Sequence, residues 1–276
     1  MSNKVWLITG SSRGLGRALA EAVLAEGDQL VATARNPEQL NGLVKGYGDK
    51  ACTIALDVTN EAAAATAVKT AVDAFGRLDV LVNNAGYGNI NSIEETSVAD
   101  FRAEIETNLF GTIIVTKAAL PYMRKQGSGH IIQYSSVGGR IGPTGRGPYA
   151  SAKWGVEGFS EVLAKEVAPL GIKVTIVEPG GFRTDFAGSS TSISDGLPAY
   201  AATVGATARF QKDYNGKQPG DPVKAASVII QIAKLDYPPL RLLLGSDAAN
   251  AVEKNDLAKM DADMKWRHLS ISTDFV

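Results

Sequence analysis

The sequence predicts an α/β fold in which a doubly wound parallel sheet carries helices on both faces. Three observations support this reading: short apolar runs recur without alternating, stretches of helical period separate them, and a glycine-rich turn follows the first run directly. Strands covered on both faces read as continuous apolar runs. Strand–helix alternation calls for parallel strands joined by helical crossovers.

Val5–Thr9 is the first predicted strand, and a helix over Arg17–Glu26 follows its glycine turn. Leu30–Ala34, Cys52–Leu56, Val80–Asn83, His130–Ser135, Lys173–Glu178 and Leu240–Gly245 are the other predicted strands. Between them Val68, Val72 and Phe75 share a helical face, as do Phe101, Ile105, Leu109 and Ile113, and again Val156, Phe159, Leu163 and Val167. Asp221-Pro222 supplies a cap residue and a first-turn proline for a helix over Val223–Lys234. The stretch from Asp185 to Gly220 is rich in Ser, Thr, Ala and Gly. A connection that long predicts a substrate lid, with one short helix near Ala199–Phe210. A last helix is expected over Asp247–Met264, within an extended C-terminal tail at 247–276 that ends in polar sequence.

No repeat, linker or composition break divides the 276 residues, so one domain over 1–276 is expected. Hydrophobic residues at 45% and charged residues at 21% exclude a disordered chain, and a core of this size needs no metal or disulfide. Twenty-eight basic against 29 acidic residues leave no field to gather nucleic acid. The apolar runs fall far short of the ~18 residues that would span a bilayer, and the first residues lack a signal-peptide core. Cys52 is the single cysteine, so no intramolecular disulfide forms. A soluble cytoplasmic protein follows as the expectation. His130 and His268 have no partner at metal-ligand spacing, so no metal site is expected. Trp154 and Phe159 read as packing residues.

The turn Thr9-Gly10-Ser11-Ser12-Arg13-Gly14-Leu15-Gly16 joins the first strand to its helix. Glycines at such a junction let backbone N–H groups approach a pyrophosphate at the positive helix end. At the end of the second strand, where NAD-binding folds carry an acid for the ribose 2′-hydroxyl, the chain has Thr33-Ala34-Arg35. A guanidinium grips a 2′-phosphate that a carboxylate would repel. Arg13 is the second candidate arm, and the pair favours NADP over NAD, although a solvated surface role is open to each. Asp57-Val58 ends the third strand as a candidate adenine contact or an ordinary turn. Asn83-Asn84-Ala85-Gly86 ends the fourth at the carboxyl edge, where doubly wound sheets bind ligands.

Tyr149 and Lys153 stand four residues apart on one helical face. An ammonium about 4 Å from a phenol lowers its pKa by up to ~3 units at an effective dielectric of 20, which would make Tyr149 a general acid or base near neutral pH. Ser136, at the end of the fifth strand, is placed to hold a substrate carbonyl, with Ser135 as its competitor. Asn108 interrupts an apolar helix, facing either solvent or a freed backbone carbonyl.

Taken together, Thr9–Gly16, Asn83–Gly86, Asn108, Ser136, Tyr149-Ala150-Ser151-Ala152-Lys153, Pro179-Gly180 and Thr184 resemble the short-chain dehydrogenase/reductase family, in its NADP-preferring form, from about Lys4 to Phe186. The resemblance implies a single Rossmann-type domain of about seven parallel strands. It implies Tyr149 as proton donor or acceptor, Lys153 holding the nicotinamide ribose and lowering the Tyr149 pKa, Ser136 orienting the carbonyl and Asn108 anchoring a relay water. Thr184, with the backbone near Phe182, would hold the carboxamide. Gly10, Ser12, Arg13, Gly14, Leu15, Gly16, Arg35, Asp57, Val58, Asn84, Ala85, Gly86, Pro179 and Gly180 complete the expected NADP(H) contacts. Glu178 departs from the small neutral residue frequent before Pro179, and the tail exceeds the usual length.

The expected activity is hydride transfer between NADP(H) and a ketone or secondary alcohol. A same-family isomerase or dehydratase and a non-catalytic NADP-binding regulator are the alternatives. A homo-oligomer, dimer or tetramer, built on helices near Phe101–Met123 and Ala150–Val167 is expected. The substrate, stereochemistry and direction are not written in these motifs.

Overall fold

The computed structural model describes residues 3–188, 191–194 and 196–275. Seven strands, β1 (Val5–Ile8), β2 (Gln29–Ala34), β3 (Ala51–Ala55), β4 (Val80–Asn83), β5 (Gly129–Tyr134), β6 (Ile172–Pro179) and β7 (Arg241–Leu244), form one sheet in the order β3-β2-β1-β4-β5-β6-β7. Every pairing is parallel. The helices are α1 (Gly14–Ala25), α2 (Asn41–Val44), α3 (Glu61–Phe75), α4 (Val98–Ile105), α5 (Gly111–Gln126), α6 (Gly147–Val167), α7 (Val204–Tyr214), α8 (Pro222–Ala233) and α9 (Ser246–Ile271). The expected class is therefore the observed one, and each predicted strand lies within a residue or so of its place.

Side chains leave a strand alternately to its two faces, and β1 shows what this builds. Trp6 and Ile8 pack with Leu19 and Val23 of α1 and Ile229 and Ile230 of α8. Val5 and Leu7 pack on the other face with Val68 of α3, Val115 and Met123 of α5 and Leu163 of α6. Two cores sandwich the sheet, so its strands are apolar throughout. Asp221 caps α8, accepting from the Val223 N–H at 2.8 Å, with Pro222 in the first turn as expected.

The strand order turns back on either side of β1 and β4, so the loops leaving these two strands diverge and open a crevice at the carboxyl edge. At its floor the two loops touch: a Cβ on Gly10 would lie 3.0 Å from the Ala85 Cα.

Three features differ from the sequence expectation. The helix expected through Phe101–Ile114 is interrupted by a π-turn at Glu106–Phe110, where Asn108 is fully buried. In the Asp185–Gly220 stretch the helix is α7, placed later than expected. Val204 and Ala208 bury it against Ile90, Ile193 and Tyr200 in a small core of its own. Ser189, Ser190 and Asp195 of this stretch lie outside the described residues. The last helix continues beyond Met264 to Ile271, and its apolar residues Leu257, Met260, Met264 and Ile271 stay exposed.

Glu178 and the long tail, both unusual in the sequence, belong together. Glu178 has no solvent exposure and meets Arg140 at 3.2 Å and Arg241 at 3.5 Å. Arg140 pairs in turn with Asp256 of α9 and Arg241 with Glu157 and Glu161 of α6. Lys259 of α9 donates to the Arg140 carbonyl at 2.9 Å and lies 4.6 Å over the Trp154 ring. Cys52 is half-buried in β3 rather than deep in the core. His130 is buried with Nε2 2.9 Å from the Thr175 hydroxyl, and burial lowers its pKa to about 3. Among the described residues, no helix is long and apolar enough to cross a membrane, and no His, Cys, Asp or Glu group is placed to hold a metal.

Candidate active site

The crevice is built from the ends of β1, β2, β4, β5 and β6. Gly10 and Gly14 adopt φ of +69° and +60°, the left-handed region that favours glycine. Gly16 starts α1 where a Cβ would lie 2.3 Å from the Asn84 amide nitrogen and 2.4 Å from the Gly10 carbonyl oxygen. The turn and helix can close this tightly only with glycine there. The Asn84 side chain is spent on this geometry: it donates to the carbonyls of Thr9 at 3.0 Å and Gly10 at 3.2 Å. The Thr9 hydroxyl receives the Asn84 and Ala85 N–H groups at 2.9 and 3.0 Å. Thr184 closes the cradle from the opposite side, 3.5 Å from a Cβ on Gly14.

Arg13 and Arg35 are exposed, one at the N-cap of α1 and the other just past β2. Ser12 lies in the same turn, and Leu15 turns toward the core beneath it. The Asp57 carboxylate accepts from the Thr59 N–H and hydroxyl at 3.0 and 2.8 Å, and these bonds, with the Arg35 cation, hold it below the usual carboxylate range. Val58 is buried against Gly111, leaving only its backbone toward the crevice. The loop after β6 is tied to β7 and α9: Gly180 N–H donates to the Leu244 carbonyl of β7 at 2.9 Å, and Gly181 N–H to the Asp247 carboxylate of α9 at 2.7 Å. Phe182 bridges to Gly220, which pins together the two ends of the expected lid. This cradle fits a dinucleotide: it has glycine backbone at a helix N-terminus, room kept clear of side chains and two unencumbered guanidinium groups beside it.

Asn108, Ser136, Tyr149 and Lys153 converge at the same edge. Asn108 accepts from the Tyr87 N–H at 3.2 Å and donates to the Tyr87 and Glu104 carbonyls, each at 2.9 Å, so the π-turn locks it against the β4 loop. A Cβ on Gly86 would strike the Asn108 amide oxygen at 2.4 Å and lie 3.7 Å from the Lys153 Nζ. Ser136 accepts from the Gly138 N–H at 3.0 Å and is the hydrogen-bonding neighbour of the Tyr149 phenol. Ser135, its competitor, turns toward Gly139, whose Cβ would lie 2.4 Å from the Ser135 hydroxyl. The Lys153 Nζ donates to the Tyr134 carbonyl at 2.7 Å and stands 5.7 Å from the centre of the Tyr149 ring.

The electrostatics correct one expectation. The Tyr149 phenol is held above its ordinary value, not below it, because burial outweighs the pull of Ser136 and Arg146, and Glu104 adds to the rise. Lys153 is brought down to about 8 by burial, against the pull of Glu157 and Glu104.

Sequence reasoning missed three residues here. Asp247 holds the β6 loop from α9. Glu104 is buried behind Asn108, its oxygen accepting from the Asn89 N–H at 3.3 Å, and burial raises it to about 7. Arg146 leads into α6, with its guanidinium carbon 5.8 Å from the Tyr149 ring centre and 6.0 Å from that of Phe186. Its position three residues before Tyr149 was the one available signal.

Residues 4–195 match the family model described as short chain dehydrogenase. The chain belongs to the short-chain dehydrogenase family. Within it, this dehydrogenase is 49% identical over 271 residues to "Oxidoreductase BOA17" of Botryotinia fuckeliana, covering 98% of this chain and 99% of that one. A short-chain dehydrogenase from Streptomyces avermitilis superposes with a TM-score of 0.93 at 43% identity, over 99% of this chain and 100% of that one. An alcohol dehydrogenase from the archaeon Thermococcus sibiricus, complexed with 5-hydroxy-NADP, gives 0.72 at 28% identity, over 88% and 96%. This dehydrogenase is thus an oxidoreductase by family, and the Streptomyces likeness runs through the tail as well as the sheet.

Proposed function

We propose that this dehydrogenase is an NADP(H)-dependent carbonyl reductase or alcohol dehydrogenase acting on a ketone or secondary alcohol. The observation that carries the reading is the convergence of Asn108, Ser136, Tyr149 and Lys153 on the crevice edge beside Gly86. NADPH, when bound, supplies the hydride. Gly10, Ser12, Gly14 and Gly16 offer backbone to its pyrophosphate, Arg13 and Arg35 hold the 2′-phosphate, and Lys153 and Thr184 hold the nicotinamide end. That NADP accompanies the Thermococcus enzyme supports the same coenzyme here.

The Ser136 hydroxyl holds the carbonyl oxygen, and Tyr149 delivers a proton to it as the carbon is reduced. A phenol kept protonated by burial is suited to donating in this direction. Once a ligand draws its ammonium from the Tyr134 carbonyl, Lys153 stabilises the phenolate that this transfer leaves, and a proton from solvent restores the phenol. Asn108 holds the β4 loop and the Glu104 carbonyl in place beside Lys153. The segment 185–220 covers the substrate, on a base pinned by Phe182 and Gly220. Phe110, Trp154 and Val162 leave apolar surface exposed along the π-turn and α6, which supports a dimer or tetramer through these helices in a cytoplasmic enzyme. A panel of ketones and secondary alcohols followed by NADPH absorbance tests the activity. Coenzyme consumed in step with carbonyl lost supports it, and turnover without net NADPH oxidation or NADP reduction overturns it.

A further inference from the structure

We propose that Arg146 anchors the substrate, and that the carbonyl compound reduced here carries a carboxylate a few bonds from its reacting carbon. The inference rests on the reading of Tyr149 as proton donor, since that fixes where the carbonyl sits.

Arg146 stands where α6, the loop after β4 and α7 meet. Its backbone bridges to Asn91, in the loop after β4, so the residue is anchored on both sides. Its Nη1 lies 3.3 Å from a Cβ on Gly88, and that same Cβ would strike the Tyr149 ring at 2.8 Å. The guanidinium is packed against the rings of Tyr149 and Phe186, and Nη2 donates to the Gln211 amide oxygen of α7 at 3.1 Å. An arginine packed beside aromatic rings keeps N–H groups for bonds in its own plane.

Those N–H groups are incompletely used. Arg146 Nη1 is buried and has no hydrogen-bond partner, and among the described residues no ion pair involves Arg146. The contrast with Arg140 and Arg241 is direct: each spends its charge on at least two carboxylates. Glu104 is the acid that faces Arg146, but it does not pair with it; its oxygen is taken by the Asn89 N–H. A buried charged donor left unpaired is destabilising and calls for a partner. A carboxylate satisfies both the N–H groups and the charge, whereas an ester or second ketone satisfies only the former. The cation's place beside the Tyr149 ring and under Phe186 puts that carboxylate within reach of a carbonyl held on the phenol.

The test uses pyruvate, acetoacetate and levulinate, each against its methyl ester, as substrates of the full chain with NADPH. Wild type should favour at least one acid over its ester by about tenfold or more in kcat/KM. Arg146→Ala should lower the acid-to-ester ratio of kcat/KM by about tenfold or more, mainly through the KM of the acid. Arg146→Lys should recover part of the loss. Equal use of acid and ester by wild type, or equal loss on both in Arg146→Ala, overturns the proposal. If no member of any pair is reduced, calorimetry of the three acids on the NADP-loaded protein decides the two readings separately. Acid binding that Arg146→Ala abolishes keeps the anchor while the reductase reading fails for these compounds; no acid binding to wild type overturns the anchor itself.

Discussion

Arg140 and Glu178 form a two-bond pair, with the Arg140 Nη1 3.2 and 3.3 Å from the two oxygens of a carboxylate that has no solvent exposure. Burial and the Glu157 charge push the Glu178 carboxyl up, and Arg140 and Arg241 hold it down. Removing one member of such a pair leaves an uncompensated charge in the interior. Arg140→Ala should therefore cost about 2–4 kcal/mol, somewhat less than a lone pair would because Arg241 remains. Urea unfolding reads this, and a loss under about 1 kcal/mol would show the pair to be ornamental.

Tyr149→Phe removes one oxygen and keeps the ring that packs against Phe186 at 5.6 Å. Fold and NADPH binding should survive, while kcat falls by ~10²–10⁴. Retention of more than about a tenth of wild-type kcat, with chemistry rate-limiting, removes Tyr149 from proton transfer.

Lys153 sets a pH limb. With its pKa brought down to about 8, the ammonium loses its proton as pH rises through that value, and with it the charge proposed to hold the coenzyme. The kcat/KM for NADPH should be level below about pH 7 and fall up to tenfold per pH unit above 8. A plateau unbroken to about pH 10 would contradict it.

Arg35→Asp places an acid where a 2′-phosphate is expected. The NADPH-to-NADH ratio of kcat/KM should drop by at least about tenfold and approach or cross unity. An unchanged ratio would assign the phosphate to Arg13 alone.

Glu104 gives a stability prediction with a definite sign. Its carboxyl is raised from 4.5 to about 7 in the folded chain, so between those values the native state holds a proton that the unfolded chain has released. Stability is then lost as pH rises through this window, and it is fully retained below 4.5. Glu104→Gln cannot ionise and escapes the loss. Its stability relative to wild type should improve by about 2–3 kcal/mol between pH 4.5 and pH 8, read from unfolding at both. A gap that does not change with pH would place Glu104 in a wetter setting.

What the sequence disclosed and what it withheld divide along sequence distance. The strands were legible because residues such as Val5–Ile8 are apolar on both faces of the sheet. The Gly10–Gly16 turn and the Tyr149–Lys153 spacing were legible because each is local. Asn108 was visible only as an interruption, since a π-turn leaves no pattern of its own. Arg140–Glu178–Asp256 and Arg146–Phe186–Gln211 unite residues far apart in the chain, so neither trio has a periodic or local signature. The direction of the Tyr149 pKa differs for a related reason: the helix spacing places Lys153 nearby, but the burial that raises the phenol comes from elements distant in the chain.

The bridge between Phe182 and Gly220 holds together the two ends of the segment between them. A chain whose ends are already held together tolerates changes of length cheaply, about 0.6 kcal/mol for each doubling. Its small core around Val204 and Ala208 shares no buried residue with the two cores that flank the sheet. Changes of length confined to the stretch around α7 should therefore leave the positions of Tyr149 and Lys153 on α6 undisturbed.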